Sequence, residues 1–155
     1  MKANGIVKKK WSYERGQAMY FLTKDHAYNF QNMILQDKTH PRDTERMALF
    51  YILGGNEDLF MKRKYIYDFK NHEVYTEVLS QSEIELCDSS KALIRLAYNL
   101  YNGYEDQHTG IKEILAALDQ TNMELIQGSL DIYLNGNCEL ILDEAIDEEM
   151  ELDFV

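Results

Sequence analysis

The segment from Asp88 to Gly103 carries the most restrictive pattern in the chain. Ala92, Leu93, Leu96, Ala97, Leu100 and Tyr101 recur at the spacing of one helix face, and Gly103 suits the left-handed residue that closes such a helix. Asp88 or Ser89 is placed to cap its start. A helix of this kind is stable only when its apolar stripe is covered, so its partners must come from the flanking sequence.

The flanks supply more helices. Thr23 can cap one over 24–37, with Asp25 near the positive end of its dipole and Ala27, Phe30, Met33 and Ile34 on one face. Pro41 suits the first turn of a second, which carries the apolar run Met47–Leu53 and stops at Gly54-Gly55. Asn56 caps a shorter third helix through Leu59, Phe60 and Arg63, with Lys62-Arg63-Lys64 opposing its negative end. Tyr65–Phe69 alternates like a short strand, Asn71–Leu79 reads as a helix with Val74 and Leu79 inward, and Ser80–Cys87 fits helix or loop. After Gly103 come a loop, a helix over 111–119 with Ile111, Ile114, Leu115 and Leu118 on one face, and a last helix. Asn122 caps that one, and it runs through Leu125, Ile126, Ser129, Leu130 and Tyr133 to Asn135-Gly136-Asn137. The expected fold is all-α: a single-domain bundle of five to six helices with room for a small two-stranded element. No βαβ alternation points to a parallel sheet.

Composition narrows the class. With 155 residues, 45% of them hydrophobic, and 11 tyrosines and 6 phenylalanines, the chain can bury one core. Met47–Leu53 is the best apolar run and falls far short of the roughly 18 residues of a membrane span. MKANGIVKKKW has no apolar run behind its lysines, so no secretory signal is read and a cytoplasmic protein with reduced Cys87 and Cys138 is expected.

The net charge of −11 is unevenly spread. Residues 1–72 hold 13 Lys/Arg against 8 Asp/Glu, and residues 73–155 hold 3 against 19. The organisation expected is a basic flexible arm at 1–18, a helical domain at 19–137 and an acidic C-terminal tail at 138–155. Lys8-Lys9-Lys10 beside Trp11 and Tyr13 joins charge to rings as single-strand binders do. Three lysines on so acidic a protein are too few, and no nucleic-acid partner is expected. The tail runs from Glu139 through Asp143, Glu144, Asp147, Glu148, Glu149 and Glu151 to Asp153 without a basic residue. On a helix, Asp143/Asp147 and Glu144/Glu148 would be carboxylate pairs able to share a cation. The residue order and glycine of a calcium loop are missing, so no metal is expected. The tail is either solvated or docked on a basic surface such as Lys8–Lys10 of the same or a neighbouring chain.

Recognisable catalytic grammar is lacking. His26, His40, His72 and His108 show no ligand spacing and read as surface or capping residues. Cys87 has no base nearby in sequence and reads as a buried small hydrophobe. No nucleophile elbow, phosphate loop or dinucleotide fingerprint occurs, so no cofactor is expected. The cluster Tyr98, Tyr101, Asn102 and Tyr104 is read as core packing or as a contact face, and such a face could support homo-oligomerisation.

Three segments, MYFLTKDH at 19–26, ERMALFYILG at 45–54 and RLAYNLYNG at 95–103, together resemble a family of small uncharacterised proteins of Gram-positive bacteria and their mobile elements, over about residues 19–134. The resemblance implies a mostly helical domain of unknown function and transfers no catalytic residue. The arm and the tail lie outside it. The function expected is non-catalytic: binding of a protein partner through an acidic or tyrosine-rich surface, the tail and the tyrosine cluster being the candidates. The other class is a small enzyme assembled from distant Asp, Glu and His residues. A pocket holding two histidines beside a carboxylate would mark it.

Overall fold

The computed structural model describes residues 10–12, 18–80 and 83–135. The chain is mostly helical, as expected. Strands β1 (Lys10–Ser12) and β2 (Ala18–Tyr20) pair antiparallel, and helices α1 (Lys24–Asp37), α2 (Thr44–Gly55) and α3 (Glu57–Met61) follow. A short antiparallel pair, β3 (Tyr67–Asp68) and β4 (Glu73–Val74), precedes α4 (Asp88–Asn102), α5 (Ile111–Ala116) and α6 (Gln120–Asn135). Single 3-10 turns at Arg63–Tyr65 and Thr76–Leu79 flank the β3–β4 hairpin. The acidic tail lies outside the described residues.

α2 is the centre because it is apolar all round: Met47 through Gly54 are all buried, which leaves it no solvent face. α1, α4 and α6 pack around it, each antiparallel to it. His26 and Asn29 of α1 bond the carbonyls of Tyr51 and Gly54, while Asp37 reaches back to Arg46. α4 sets Ser90 on Asp58 beyond one end of α2 and Tyr101 on Arg46 at the other. α6 sets Asn122 against Asn56 and Gly128 against Tyr51. The C-terminal ends of these three helices therefore gather at the first turn of α2.

Local chemistry explains where elements start and stop. Thr23 accepts from the His26 amide at 3.0 Å and caps α1, whose bounds are those expected. Its C-terminus closes with Lys38 in the left-handed region (φ 57°) and Thr39 N–H bonded to Ile34 O at 3.1 Å. Pro41 does not open α2. It occupies the second position of a turn closed by Asp43 N–H to His40 O at 2.9 Å, where its fixed φ fits equally well, and Asp43 is the cap. Gly54 and Gly55 end α2 as expected, and at Gly55 a side chain would overlap Leu125 and crowd His26.

Four other expectations are corrected. Residues 71–79 form no α-helix, only the 3-10 turn at Thr76–Leu79: the Asp68 carboxylate accepts from Lys70 N–H, Asn71 N–H and Asn71 Nδ2, which diverts the backbone into a turn before β4. Val74 and Leu79 still face inward, half-buried and buried. At the start of α4 the capping position is Cys87, which makes no side-chain cap bond. α5 stops at Ala116 and buries only Ile114, leaving Ile111 and Leu115 exposed. α6 begins at Gln120, because Asp119 accepts from the Asn122 amide at 2.8 Å and frees the Asn122 side chain for Asn56.

Candidate functional site

The tyrosine cluster on α4 divides. Tyr98 is fully buried, and its hydroxyl donates within reach of Tyr75 O at 2.8 Å and Ile66 O at 3.0 Å, tying α4 to the hairpin. Burial pushes this phenol's pKa up, so it stays a neutral donor. Tyr101 is half-buried; its hydroxyl accepts from Arg46 at 2.8 Å and donates to His72 O at 3.2 Å. Asn102 is exposed and accepts from the Tyr104 amide. Tyr104 sets its ring edge-on to Tyr98 and donates to Asp106 at 3.0 Å. Three of the four hold the fold together through their side chains before any partner is considered. Asp143, Glu144, Asp147 and Glu148 fall outside the described residues.

A constellation that sequence reasoning missed lies at the gathered helix ends. The Asp37 carboxylate is wholly buried. It accepts from Tyr67 Oη at 2.7 Å, Thr39 Oγ1 at 2.6 Å and His72 Nδ1 at 2.7 Å, with Arg46 Nε at 3.9 Å. Burial and the bond to Asp37 push the Tyr67 phenol up, keeping its proton in place. His72 sits at φ 60°, a conformation that costs a non-glycine residue energy and here is fixed from two sides. Asp37 holds its ring, and Arg46 and Tyr101 hold its carbonyl. The ring remains 47% exposed. Asp37 and His72 are 35 residues apart, which hides the pair from any local motif. One local signal existed: a carboxylate in the last turn of α1, with no basic residue there, faces the negative end of the dipole and needs a partner from elsewhere.

The remaining histidines do different work. His26 is buried, not a surface residue: Nδ1 accepts from Leu22 N–H at 3.1 Å, and the Nε2 proton goes to Tyr51 O at 2.8 Å. Burial lowers its pKa to about 3. His40 accepts from the Arg42 amide in the α1–α2 turn. His108 pairs with Glu113 at 2.6 Å on the rim of a concavity of about 620 Å³ that Lys91 and Arg95 also line. Beside it Asp106 accepts from Arg95, Tyr104, Thr109 and the His108 amide. Burial raises the Asp106 pKa, but these donors outweigh it and hold the carboxyl well below the usual range. This concavity contains one histidine, not the two that would mark an enzyme.

Cys87 is exposed, contrary to the expectation of burial. Hydrogen bonds with the Ser89 and Ser90 hydroxyls lower its pKa. Among the described residues no three His, Cys, Asp or Glu side chains group as metal ligands, and no helix is long and apolar enough to cross a membrane.

Two tyrosines outside the α4 cluster line a groove at the surface. Tyr65 and Tyr75, with Val78 and Ile84, line a groove of about 290 Å³ that Lys64, Glu77 and Glu83 border. Ile84 also lines a neighbouring concavity with Leu86 and Cys87, so the two adjoin. Met61 and Tyr65, four residues apart, are 73% and 55% exposed.

No curated protein and no solved structure matches the chain. Residues 16–140, which include all the side chains just described, match a family of unknown function (DUF6075), and the chain belongs to that family.

Proposed function

We propose that the protein is a cytoplasmic, non-catalytic binding domain that seats a short apolar and aromatic segment of a protein partner along the groove between Tyr65, Tyr75 and Ile84. The observation that carries this reading is the exposure of Tyr65, 55%, on the wall of a groove that Tyr75, Val78 and Ile84 also line. Contiguous apolar surface rimmed by charge is characteristic of contact sites, and tyrosine supplies large contact area at low entropic cost. In a bacterial mobile-element setting such a domain would act as a small regulator of a host protein.

A photo-crosslinking residue at position 65, with position 134 as control because Leu134 is 75% exposed on α6, tests this in the source cell. The expected result is a discrete adduct from position 65 that Ile84→Glu abolishes. Equal adducts from both positions, or none from 65, overturn it. One observation favours the enzyme class instead: Asp37 orients His72 in the manner of a general base, leaving Nε2 with no partner among the described residues. Under the binding reading, His72→Gln leaves the position-65 adduct unchanged.

A further inference from the structure

We infer that the outward face of α1 is the docking site of the chain's own N-terminal segment, residues 1–9. Two buried amides mark the site. Asn32 is 5% exposed and Gln31 9%, yet Asn32 Oδ1 and Gln31 Oε1 accept no hydrogen bond. Asn32 is two residues from both Phe30 and Ile34, which places it nearly opposite those core side chains on the helix. Among the described elements only α2 packs extensively against α1, and it takes the core side. A side chain on the far side would then be open to water. Asp25 and Leu35, which flank the row Tyr28, Asn32 and Gln36, are indeed exposed, while Tyr28 and Gln36 are half-buried. The cover over Asn32 is therefore narrow, one extended chain wide, and comes from outside the described residues.

Chemistry selects the occupant. A buried carbonyl left unpaired is costly, so whatever covers these two must bring donors. Residues 1–9 carry donor side chains at Lys2, Asn4, Lys8 and Lys9 around the apolar pair Ile6-Val7. The acidic end carries none: from Glu139 to Val155 no side chain is an N–H donor, and the carboxylates, ionised at neutral pH, only accept. Charge makes no choice here, because Lys24 and Asp25 offset each other at the start of α1. The path of the chain agrees. β1 and β2 are antiparallel with Lys10 opposite Tyr20, so the chain before Lys10 leaves the hairpin at the end where Phe21 and Leu22 lead into α1. Nine extended residues span about 30 Å and α1 is about 21 Å long, so the segment can run the length of the helix. Asn32, about 12 Å along α1, then comes level with residues 5–6, within reach of the Asn4 amide and the Lys8 amine.

Thiol accessibility tests the docking. Asn32→Cys is introduced into the full-length chain, into one lacking residues 2–9 and into one ended after Asn137, and maleimide labelling at position 32 is followed by peptide mapping. The expected result is labelling about tenfold faster without residues 2–9, as for a site locally opened, and unchanged without the tail. Equal rates in all three chains, or a rise on removing the tail, overturn the docking. So does a rate that rises on dilution of the full-length chain, because the cover then belongs to a second copy. Asn32→Leu gives a second readout that needs no thiol. It should lower the urea midpoint of the full-length chain, where the segment's donors lose an acceptor, and leave that of the chain lacking 2–9 unchanged or higher. A loss of the same size in both chains overturns the choice of segment. Neither measurement bears on the adduct at position 65, so the two proposals fail separately.

Discussion

Burial makes His26 a source of acid lability. In the fold its ring is neutral, because Nδ1 must accept from Leu22 N–H and protonation would remove that acceptor. Its pKa is lowered to about 3, whereas in the unfolded chain it returns to about 6.5. The unfolded state therefore binds the proton more readily between these values. The stabilisation is fully present above pH 6.5 and is lost as the pH falls towards 3, by up to about 1.4 kcal/mol per pH unit. Urea midpoints of the wild type should fall more steeply from pH 6.5 to 4 than those of His26→Gln, which keeps a donor and an acceptor but does not titrate. Parallel curves would show that His26 is not the titrating group. Sequence placed this residue in the first turn of α1 correctly, but the carbonyl that buries it belongs to Tyr51, 25 residues on.

Elements were legible wherever their signals are local. Thr23, Asn56 and Gly103 mark ends that need only a cap or a left-handed residue, and the helices stop or start there. Legibility ended where one residue type serves two geometries. Pro41 fits a turn as well as a first helical position, and Asp68 draws the amides of 70 and 71 away from the helix that the spacing of Val74 and Leu79 implied. Gly128 was invisible as a packing device, because its reason is Tyr51 on another helix. A methyl group at 128 would overlap the Tyr51 hydroxyl and ring, on a side chain only 2% exposed. Alanine ordinarily favours a helix over glycine by about 1 kcal/mol, yet overpacking costs about 1–3 kcal/mol and prevails here. Gly128→Ala should lower the denaturation midpoint. Tyr51→Phe in the same chain should recover part of the loss by removing the hydroxyl. A raised midpoint for Gly128→Ala would mean that α6 stands off from α2.

At the scale of the whole molecule, the Asp37 cluster joins what the helix pattern leaves separate. Asp37 ends α1, Arg46 starts α2, Tyr67 and His72 bracket the hairpin, and Tyr101 ends α4. The hairpin has only two residues per strand, too few to be stable alone, so its attachment depends on this carboxylate and on the bonds from Tyr98 to Ile66 O and Tyr75 O. Replacing Asp37 by Ala removes the acceptor for three donors at once and leaves the Tyr67 hydroxyl without its bond. Breaking a buried charged network by deleting one partner costs about 3–5 kcal/mol. Tyr67→Phe deletes a single donor, and His72→Ala releases a half-exposed one, so each should cost about 1–2 kcal/mol. The double variants with Asp37→Ala should add little further loss, because their contacts are already gone. If the cluster couples the whole fold, urea unfolding of Asp37→Ala keeps the wild-type slope and moves only its midpoint. A second transition, with amides of 66–75 exchanging ahead of α2, would instead mean that the hairpin is a local appendage. His72 would then be free of the frame that gives its ring a fixed direction, and its claim to acid–base chemistry would lapse with it.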